Sequence, residues 1–207
     1  MGTLRAGLVG PYPPFTSTGS GLDAELIAAL GDRLGDDVVV APIVTVADGW
    51  QRLVAGDDDV LLGGLPATAQ QGVTFLPPYV ITGQGLAVNT RRLPHVHSPA
   101  DLGGRTLCSP DRDTLPAAVA DLASGACDAL LELAPVLGEL VRDVPDVELV
   151  ARGLSVAEIA IAVAAENTPL LARLQVAQAE LESDGTLQRL RRRWLGNPFV
   201  DQAAAVR

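Results

Sequence analysis

The sequence contains no lysine, and this absence excludes the nucleotide hydrolases that bind phosphate through a lysine-containing loop. All 15 basic residues are arginines, so the Gly-Lys-Ser/Thr phosphate loop of nucleotide hydrolases is absent. With 25 acidic residues the formal net charge is -10, and such a surface repels nucleic-acid backbones and anionic lipid headgroups. We therefore expect no nucleic-acid partner.

Long apolar runs, aromatic residues and cysteines are also scarce. The longest uninterrupted apolar run, Ile159–Ala165, is far shorter than the roughly 20 residues that cross a bilayer, so no membrane span is expected. The two cysteines, Cys108 and Cys127, leave two alternatives open: one disulfide or two buried thiols. Neither has a histidine or a second thiol at metal-ligand spacing, and we expect no metal and no cofactor.

What the sequence does have is a regular alternation of strand-like and helix-like segments. A strand beginning at Leu4 precedes leucines and an isoleucine at helical spacing, and Gly35 ends that helix. Further strands are expected at Val38–Ile43 and Val60–Leu62, separated by a helix around Gly49–Val54. A second alternating set begins at Arg105. Such alternation predicts an α/β fold with parallel strands and right-handed crossovers.

The turn after the first strand predicts a ligand site. The segment Gly10–Phe15 joins the strand to the first helix without a gap. Open α/β sheets bind small molecules at such carboxyl ends, because the loop is free of ladder hydrogen bonds and the next helix offers unsatisfied N–H groups. The sequence therefore predicts a ligand-sized crevice at this turn.

Several separated motifs occur in one order along nearly the whole chain. They are Tyr12-Pro13-Pro14-Phe15; Trp50 before Leu53 and Gly56; Gly63-Gly64 and Thr68; Phe75 and Pro78-Tyr79; Leu86-Ala87-Val88; Ser98 to Gly104; Gly125 with Asp128-Ala129; Ile159 to Val163; and Asp184-Gly185-Thr186-Leu187 through Trp194. In these motifs the chain resembles the solute-binding proteins of polar-amino-acid ABC importers.

This resemblance implies a two-lobed clamshell of the periplasmic-binding-protein type II class, in which each lobe is a sheet flanked by helices. Lobe one would comprise residues 1–86 plus 184–207, and lobe two residues 87–183. The hinge segments would lie near 86–89 and 157–163. The second lobe would be shortened, because the chain between Cys108 and Asp128 has room for one helix only.

The resemblance also implies which residues bind the ligand. They are Tyr12, Phe15, Trp50, Gly64, Thr68 and Gln71 in lobe one, and Arg112, Asp113, Thr114 and Glu132 in lobe two. Tyr12 and Trp50 match positions where relatives stack a ligand on aromatic faces, although Trp50 is equally consistent with a core residue of a short helix. Arg112 is either an anion ligand or a solvated loop arginine, and Thr114 is expected to cap the following helix.

Two departures from the family pattern concern charge. Relatives that hold α-amino acids have Thr-x-x-Arg in lobe one, whose guanidinium binds the ligand carboxylate; here Thr68 leads to the neutral amide of Gln71. The lobe-two aspartate that neutralises the ligand ammonium is replaced by Leu133, with Glu132 one position earlier. We therefore expect a ligand other than an ordinary α-amino acid.

The expected function is capture of a small polar molecule between two lobes for an ABC importer, by a monomer whose partner is an ABC permease. The location would be extracytoplasmic, periplasmic or cell-surface, if a signal segment has been removed, and cytoplasmic otherwise. One alternative is an enzyme on the same scaffold, biosynthetic or similar to cyclohexadienyl dehydratases, with Glu132 or Asp113 as acid or base; outside that alternative no catalytic residue is assigned. Another is a non-binding sensor or interaction domain.

Overall fold

The structure is a computed structural model that describes residues 2–203. Its strands are β1 (Thr3–Val9), β2 (Asp37–Ile43), β3 (Val60–Leu62), β4 (Val73–Phe75), β5 (Val80–Thr82), β6 (Gln84–Asn89), β7 (Leu107–Cys108), β8 (Ala129–Leu133), β9 (Val147–Ala151), β10 (Ala157–Ile159) and β11 (Ala162–Ala164). Its α-helices are α1 (Leu22–Leu34), α2 (Val46–Ala55), α3 (Leu115–Ser124), α4 (Ala134–Leu140), α5 (Thr168–Ser183) and α6 (Thr186–Leu195). Short 3-10 helices span Pro99–Leu102, Arg112–Thr114 and Pro198–Asp201. No helix among residues 2–203 combines the length and the apolar character that a bilayer crossing requires.

The chain divides into two compact units. Unit 1 comprises the residues up to Val80 together with Glu158–Asn197. Among the described residues, unit 2 comprises Ile81–Ala157 and residues 198–203.

Unit 1 contains a five-stranded sheet in the order β2-β1-β3-β11-β4. β1 runs parallel to both β2 and β3, as the alternating pattern predicts, and β11 pairs antiparallel with β3 and β4. All three residues of β3 are fully buried, which fits an unbroken apolar run in an inner strand. The three parallel strands bring their carboxyl ends to one edge of this sheet.

Helix α1 begins at Leu22 and ends at Leu34, and the prediction from leucine spacing is confirmed. Leu22, Leu26 and Leu30 are fully buried, because positions three to four residues apart share one face of a helix. Gly35 ends the helix in the left-handed region (φ 69°), where a residue without Cβ is favoured.

Unit 2 contains a four-stranded sheet in the order β7-β8-β6-β9. A buried cluster that includes Val119, Leu122 and Leu137 joins helices α3 and α4 to this sheet. Cys108 and Cys127 form a disulfide, so the structure decides between the two alternatives that the sequence left open. β7 covers only the last two residues of the strand expected over Arg105–Cys108.

The boundaries of the units differ from the expected lobes in three segments. Residues 81–86, assigned to lobe one, belong to unit 2, where β6 pairs with β8 and β9. Residues 158–183, assigned to lobe two, belong to unit 1, because β11 pairs with β3 and α5 packs against α1. The segment from residue 198, assigned to lobe one, belongs to unit 2, because Asp201 pairs with Arg152 there and the Gln202 side chain donates to the Ile81 carbonyl.

The first passage between the units also differs from the expected hinge. It lies between Val80 and Ile81, whereas residues 86–89 are in β6, an inner strand of unit 2 that pairs with both β8 and β9. The second passage, between Ala157 and Glu158, falls at the start of the expected hinge segment 157–163.

Candidate functional site

The turn after β1 folds back on itself and buries two aromatic rings. The backbone N–H groups of Phe15 and Thr16 both donate to the Tyr12 carbonyl at 3.0 Å, and the Thr16 hydroxyl donates to the Val9 carbonyl at 2.8 Å. The rings of Tyr12 and Phe15 stack with their centroids 6.1 Å apart. Tyr12 is 3% exposed and Phe15 is fully buried. These hydrogen bonds and ring contacts therefore hold a buried aromatic pair at the carboxyl end of β1, and the direct ligand contacts of Tyr12 and Phe15 stay a prediction.

Gly64 joins the aromatic pair from the neighbouring strand. It follows β3, which lies beside β1 and parallel to it. A Cβ built on Gly64 would lie 2.7 Å from Phe15 Cδ2 and 3.0 Å from Tyr12 Cδ1, and the residue has φ 61°. Only glycine fits such an approach without strain. The structure thus brings together three of the predicted unit-1 residues: Tyr12, Phe15 and Gly64.

A buried carboxylate holds this arrangement, and sequence reasoning did not identify it as part of the site. Asp23, fully buried in the first turn of α1, accepts from the Gly64 N–H at 2.8 Å and from the Tyr79 hydroxyl at 2.6 Å. In the sequence Asp23 is an acid that suits the positive end of the helix dipole, and only its burial reveals the second role. It connects the start of α1 with the loop after β3.

Trp50 lies on α2, whose first turn is capped by the Thr45 side chain accepting from the Asp48 N–H at 3.1 Å. Its indole is half-buried and packs edge-to-face on Phe75, with centroids 6.1 Å apart. Both rings border the buried cluster that contains Leu53 and Leu61. This contact supports the core interpretation, and the ligand contact of Trp50 stays a prediction.

Thr68 and Gln71 lie in the irregular segment between β3 and β4. Both are exposed, and Gln71 occupies a tight turn with Gly72, whose φ is 74°. The backbone N–H of Val73 returns to the Gln70 carbonyl at 3.3 Å, which closes the turn directly before β4. The amide of Gln71 is therefore carried by a short exposed turn.

In unit 2 the predicted residues Arg112, Asp113 and Thr114 form a 3-10 turn between β7 and α3. Thr114 stands at the N-cap position of α3, but the expected side-chain cap is wrong. Its hydroxyl instead donates to the Asp111 carbonyl at 3.0 Å, since its helical backbone angles direct the side chain back along the turn. Asp113 is exposed, and Arg112 is half-buried.

Glu132 and Leu133 end β8, which runs parallel to β7. The carboxyl ends of these neighbours lie at one edge, so the turn after β7 and the end of β8 share that edge. The Glu132 carboxylate accepts from the N–H of Leu133 at 2.7 Å. Leu133, which replaces the family's aspartate, is 6% exposed. Unit 2 thus gathers its predicted residues at one end of its sheet.

Comparisons with known proteins identify the class to which this arrangement belongs. The sequence profile of the bacterial extracellular solute-binding proteins, family 3, matches residues 4–197. The chain belongs to this family. The resemblance stated from the motifs is thereby confirmed, and the match does not favour the alternatives of an enzyme or a sensor domain.

Individual relatives agree with this class. The chain is 26% identical to the L-cystine-binding protein TcyJ of Escherichia coli (strain K12), over 94% of this chain and 83% of that protein. It is similar to a solved ancestral arginine-binding protein bound to arginine, with 26% identity, 95% and 99% of the two chains covered, and a TM-score of 0.79. The fold is also that of the GluR0 ligand-binding core in complex with L-glutamate, with 24% identity, 95% and 99% coverage, and a TM-score of 0.83. The periplasmic-binding-protein type II fold is therefore confirmed.

Proposed function

We propose that the protein captures a small polar molecule between its two units and delivers it to an ABC permease, and that this molecule is not an ordinary α-amino acid. The observation that carries the proposal is the pairing of family membership with two altered positions, Gln71 and Leu133. A ligand held by residues of both units gains its full contacts only when a hinge closes, and closure is a signal that a membrane partner can read.

The altered positions argue against a zwitterion. Gln71 offers a neutral amide where relatives use a guanidinium, and an amide cannot form the bidentate ion pair that holds a carboxylate. Leu133 is a buried apolar side chain where relatives place the carboxylate that faces the ligand ammonium. Leaving a buried ligand charge without its partner costs roughly 3–5 kcal/mol, which lowers the affinity by about two to nearly four orders of magnitude.

Asp113 adds to this argument from the other unit. It is an exposed carboxylate in the turn that aligns with the family's Gly-Thr-Thr, and it would repel a ligand carboxylate at close range. The relatives TcyJ and the ancestral arginine-binding protein are named for amino acids. The proposal is that this chain keeps their scaffold and has changed the ligand.

An extracytoplasmic location is part of the proposal. The family is one of extracellular proteins, and the Cys108–Cys127 disulfide is of the kind that persists in oxidising compartments. Free thiols at Cys108 and Cys127, in protein isolated from cells under thiol-trapping conditions, would contradict this location.

A thermal-shift panel tests the ligand. It would contain L-arginine, L-glutamine and L-cystine on one side, and polar amines, amides and alcohols without a carboxylate on the other. A ligand at a hundredfold excess over its Kd stabilises the folded state by about 2.7 kcal/mol. For a chain of this length such stabilisation raises Tm by about 5–11 °C. We expect a shift from a member of the second group and none from the amino acids.

Each part of the proposal has its own contradicting result. Strong stabilisation by a free amino acid would overturn the ligand argument, and the absence of any shift across the panel would count against capture itself. For the compound with the largest shift, small-angle X-ray scattering should record a smaller radius of gyration when it is bound. Deleting the gene should abolish cellular uptake of that compound, and unchanged uptake would refute the importer role.

A further inference from the structure

The turn that carries Arg112, Asp113 and Thr114 follows β7, a strand that few contacts hold in the sheet. β7 contains two residues and is an edge strand, paired with β8 alone in the sheet of unit 2. Its first residue, Leu107, is 43% exposed. A two-residue ladder at a sheet edge opens easily, because few hydrogen bonds and little buried apolar area hold it.

The disulfide lies at this weak point. Cys108 is the last residue of β7 and directly precedes the turn, whereas Cys127, 2% exposed, lies two residues before β8. The bridge spans 19 positions of sequence and encloses the 3-10 turn and helix α3. Both ends of the segment that carries the unit-2 ligand candidates are thus tied at one covalent point.

The disulfide adds to a small number of hydrogen bonds that hold this segment of the chain. The Ala129 N–H donates to the Thr106 carbonyl at 3.1 Å, and the Thr106 N–H donates to the Asp128 carboxylate at 2.9 Å. The Cys127 N–H donates to the Asp121 carbonyl at 3.2 Å, at the end of α3. The first two bonds join Thr106, directly before β7, to the start of β8, and the third joins Cys127 to α3. The covalent bond extends this attachment to Cys108, the residue closest to the turn.

We infer that the Cys108–Cys127 disulfide is a positioning element of the ligand site, which keeps the turn 109–114 in its binding geometry. The part of this inference that concerns ligand binding rests on the proposed function; the part that concerns the turn does not. A cross-link that acts only on the unfolded chain raises the stability of every residue alike. A positioning cross-link also suppresses local opening in the folded protein, and it does so only near the turn.

Amide hydrogen exchange separates the two roles without a ligand. Two amides report on the turn because they donate to its carbonyl groups: the Thr114 N–H donates to the Asp111 carbonyl, and the N–H of Leu115, the first residue of α3, donates to the Arg112 carbonyl. In the double variant Cys108→Ala/Cys127→Ala, we expect these two amides to exchange at least tenfold faster. The amides of β6, an inner strand of the same sheet, should change by a smaller factor.

Val150→Ala is the matched control. Val150 is half-buried in β9, the opposite edge strand of the same sheet, and packs on the buried cluster of Leu86 and Val88, which is separate from the cluster that contains Val119 and Leu122 of α3. In this variant the amides of β6 and β9 should exchange faster, and those of Thr114 and Leu115 should not. If the double variant accelerates the turn and β6 by the same factor, or leaves the turn unchanged, the inference is overturned.

A second route avoids any failure of the double variant to fold. The folded wild-type protein would be treated with a dithiol reductant, the new thiols blocked by alkylation, and the same amides followed. A panel compound that binds the wild type should bind the reduced protein at least tenfold more weakly. Equal affinity would refute the ligand part of the inference, whereas the lack of any binder would count against the proposed function and leave the exchange result intact.

Discussion

Asp23 is the residue on which the unit-1 half of the candidate site most depends, and its truncation gives the sharpest test of the structure. Its buried carboxylate accepts hydrogen bonds from the Gly64 N–H and from the Tyr79 hydroxyl. Asp23→Ala removes this acceptor from these donors. Because Asp23 has no exposed surface, the donors lose a partner in a place that water does not readily reach.

The magnitude follows from the number and kind of bonds. Leaving a buried donor without its acceptor costs about 1–3 kcal/mol, so Asp23→Ala, which affects at least the Gly64 N–H and the Tyr79 hydroxyl, should lower the free energy of unfolding by about 2–6 kcal/mol. For a protein of this size, 3 kcal/mol corresponds to a fall in Tm of about 6–12 °C. Tyr79→Phe removes one of these donors and keeps the carboxylate, so we expect a smaller effect than that of Asp23→Ala.

Thermal and urea unfolding followed by circular dichroism measure these differences. Asp32→Ala is the matched control, because Asp32 is an acid of the same helix whose side chain is exposed. Its replacement should change the free energy of unfolding by less than about 0.5 kcal/mol. If Asp23→Ala unfolds at the same temperature as Asp32→Ala, the carboxylate does not hold the loop after β3, and the description of this half-site is wrong.

Two further predictions concern a glycine of the site and an exposed carboxylate. Gly64→Ala should lower the free energy of unfolding by about 2–4 kcal/mol in urea titration, because its Cβ would meet the Phe15 ring. The control Gly56→Ala has a similar φ of 77° but open space around its Cβ, and it should cost about 1 kcal/mol. Equal losses would contradict the packing argument. The Asp184 carboxylate bonds to Thr186 and pairs with Arg33, which lowers its pKa to about 2. The stabilising contribution of Asp184 is therefore present above its unfolded pKa of 3.8 and lost as the pH falls towards 2. The Tm of Asp184→Asn should depend less on pH across this window than the Tm of the wild type. Parallel curves of Tm against pH for the two proteins would refute the assignment.

Much of the fold could be predicted because its strongest signals are local. The leucine spacing of α1 and the β-branched run of β2 define these elements within a few residues, and neither depends on distant contacts. The parallel core β2-β1-β3 follows from the alternation of elements along the chain. The family resemblance then supplied the class, which the sequence profile confirms over residues 4–197.

What could not be predicted depends on partners distant in sequence. The segment 158–183 belongs to unit 1 because β11 enters the sheet between β3 and β4, and no periodicity in the apolar run 159–163 specifies that neighbour. The chain from Pro198 joins unit 2 through the ion pair of Asp201 with Arg152, 49 positions apart. The second role of Asp23 was missed for the same reason, since the Gly64 and Tyr79 donors lie 41 and 56 residues away.

The assignment of ligand-binding residues stays a prediction. The structure places Tyr12, Phe15 and Gly64 in contact at the carboxyl ends of β1 and β3. Trp50 shows the limit of motif reasoning, because a matching position does not reveal that its ring packs on Phe75. An aromatic residue can serve a core or a ligand, and only the surrounding side chains distinguish the two uses.

The central claim is that Gln71 and Leu133 have removed the two charges with which relatives hold an α-amino acid. Isothermal titration of Gln71→Arg/Leu133→Asp with L-arginine and L-glutamine tests it most directly, beside the wild type and the uncharged control Gln71→Met/Leu133→Asn. The account predicts no binding heat for the wild type and the control, and weak binding of at least one of these amino acids by the charged variant. Tight binding by the wild type, or no binding by the charged variant when circular dichroism shows that it is folded, would contradict the account.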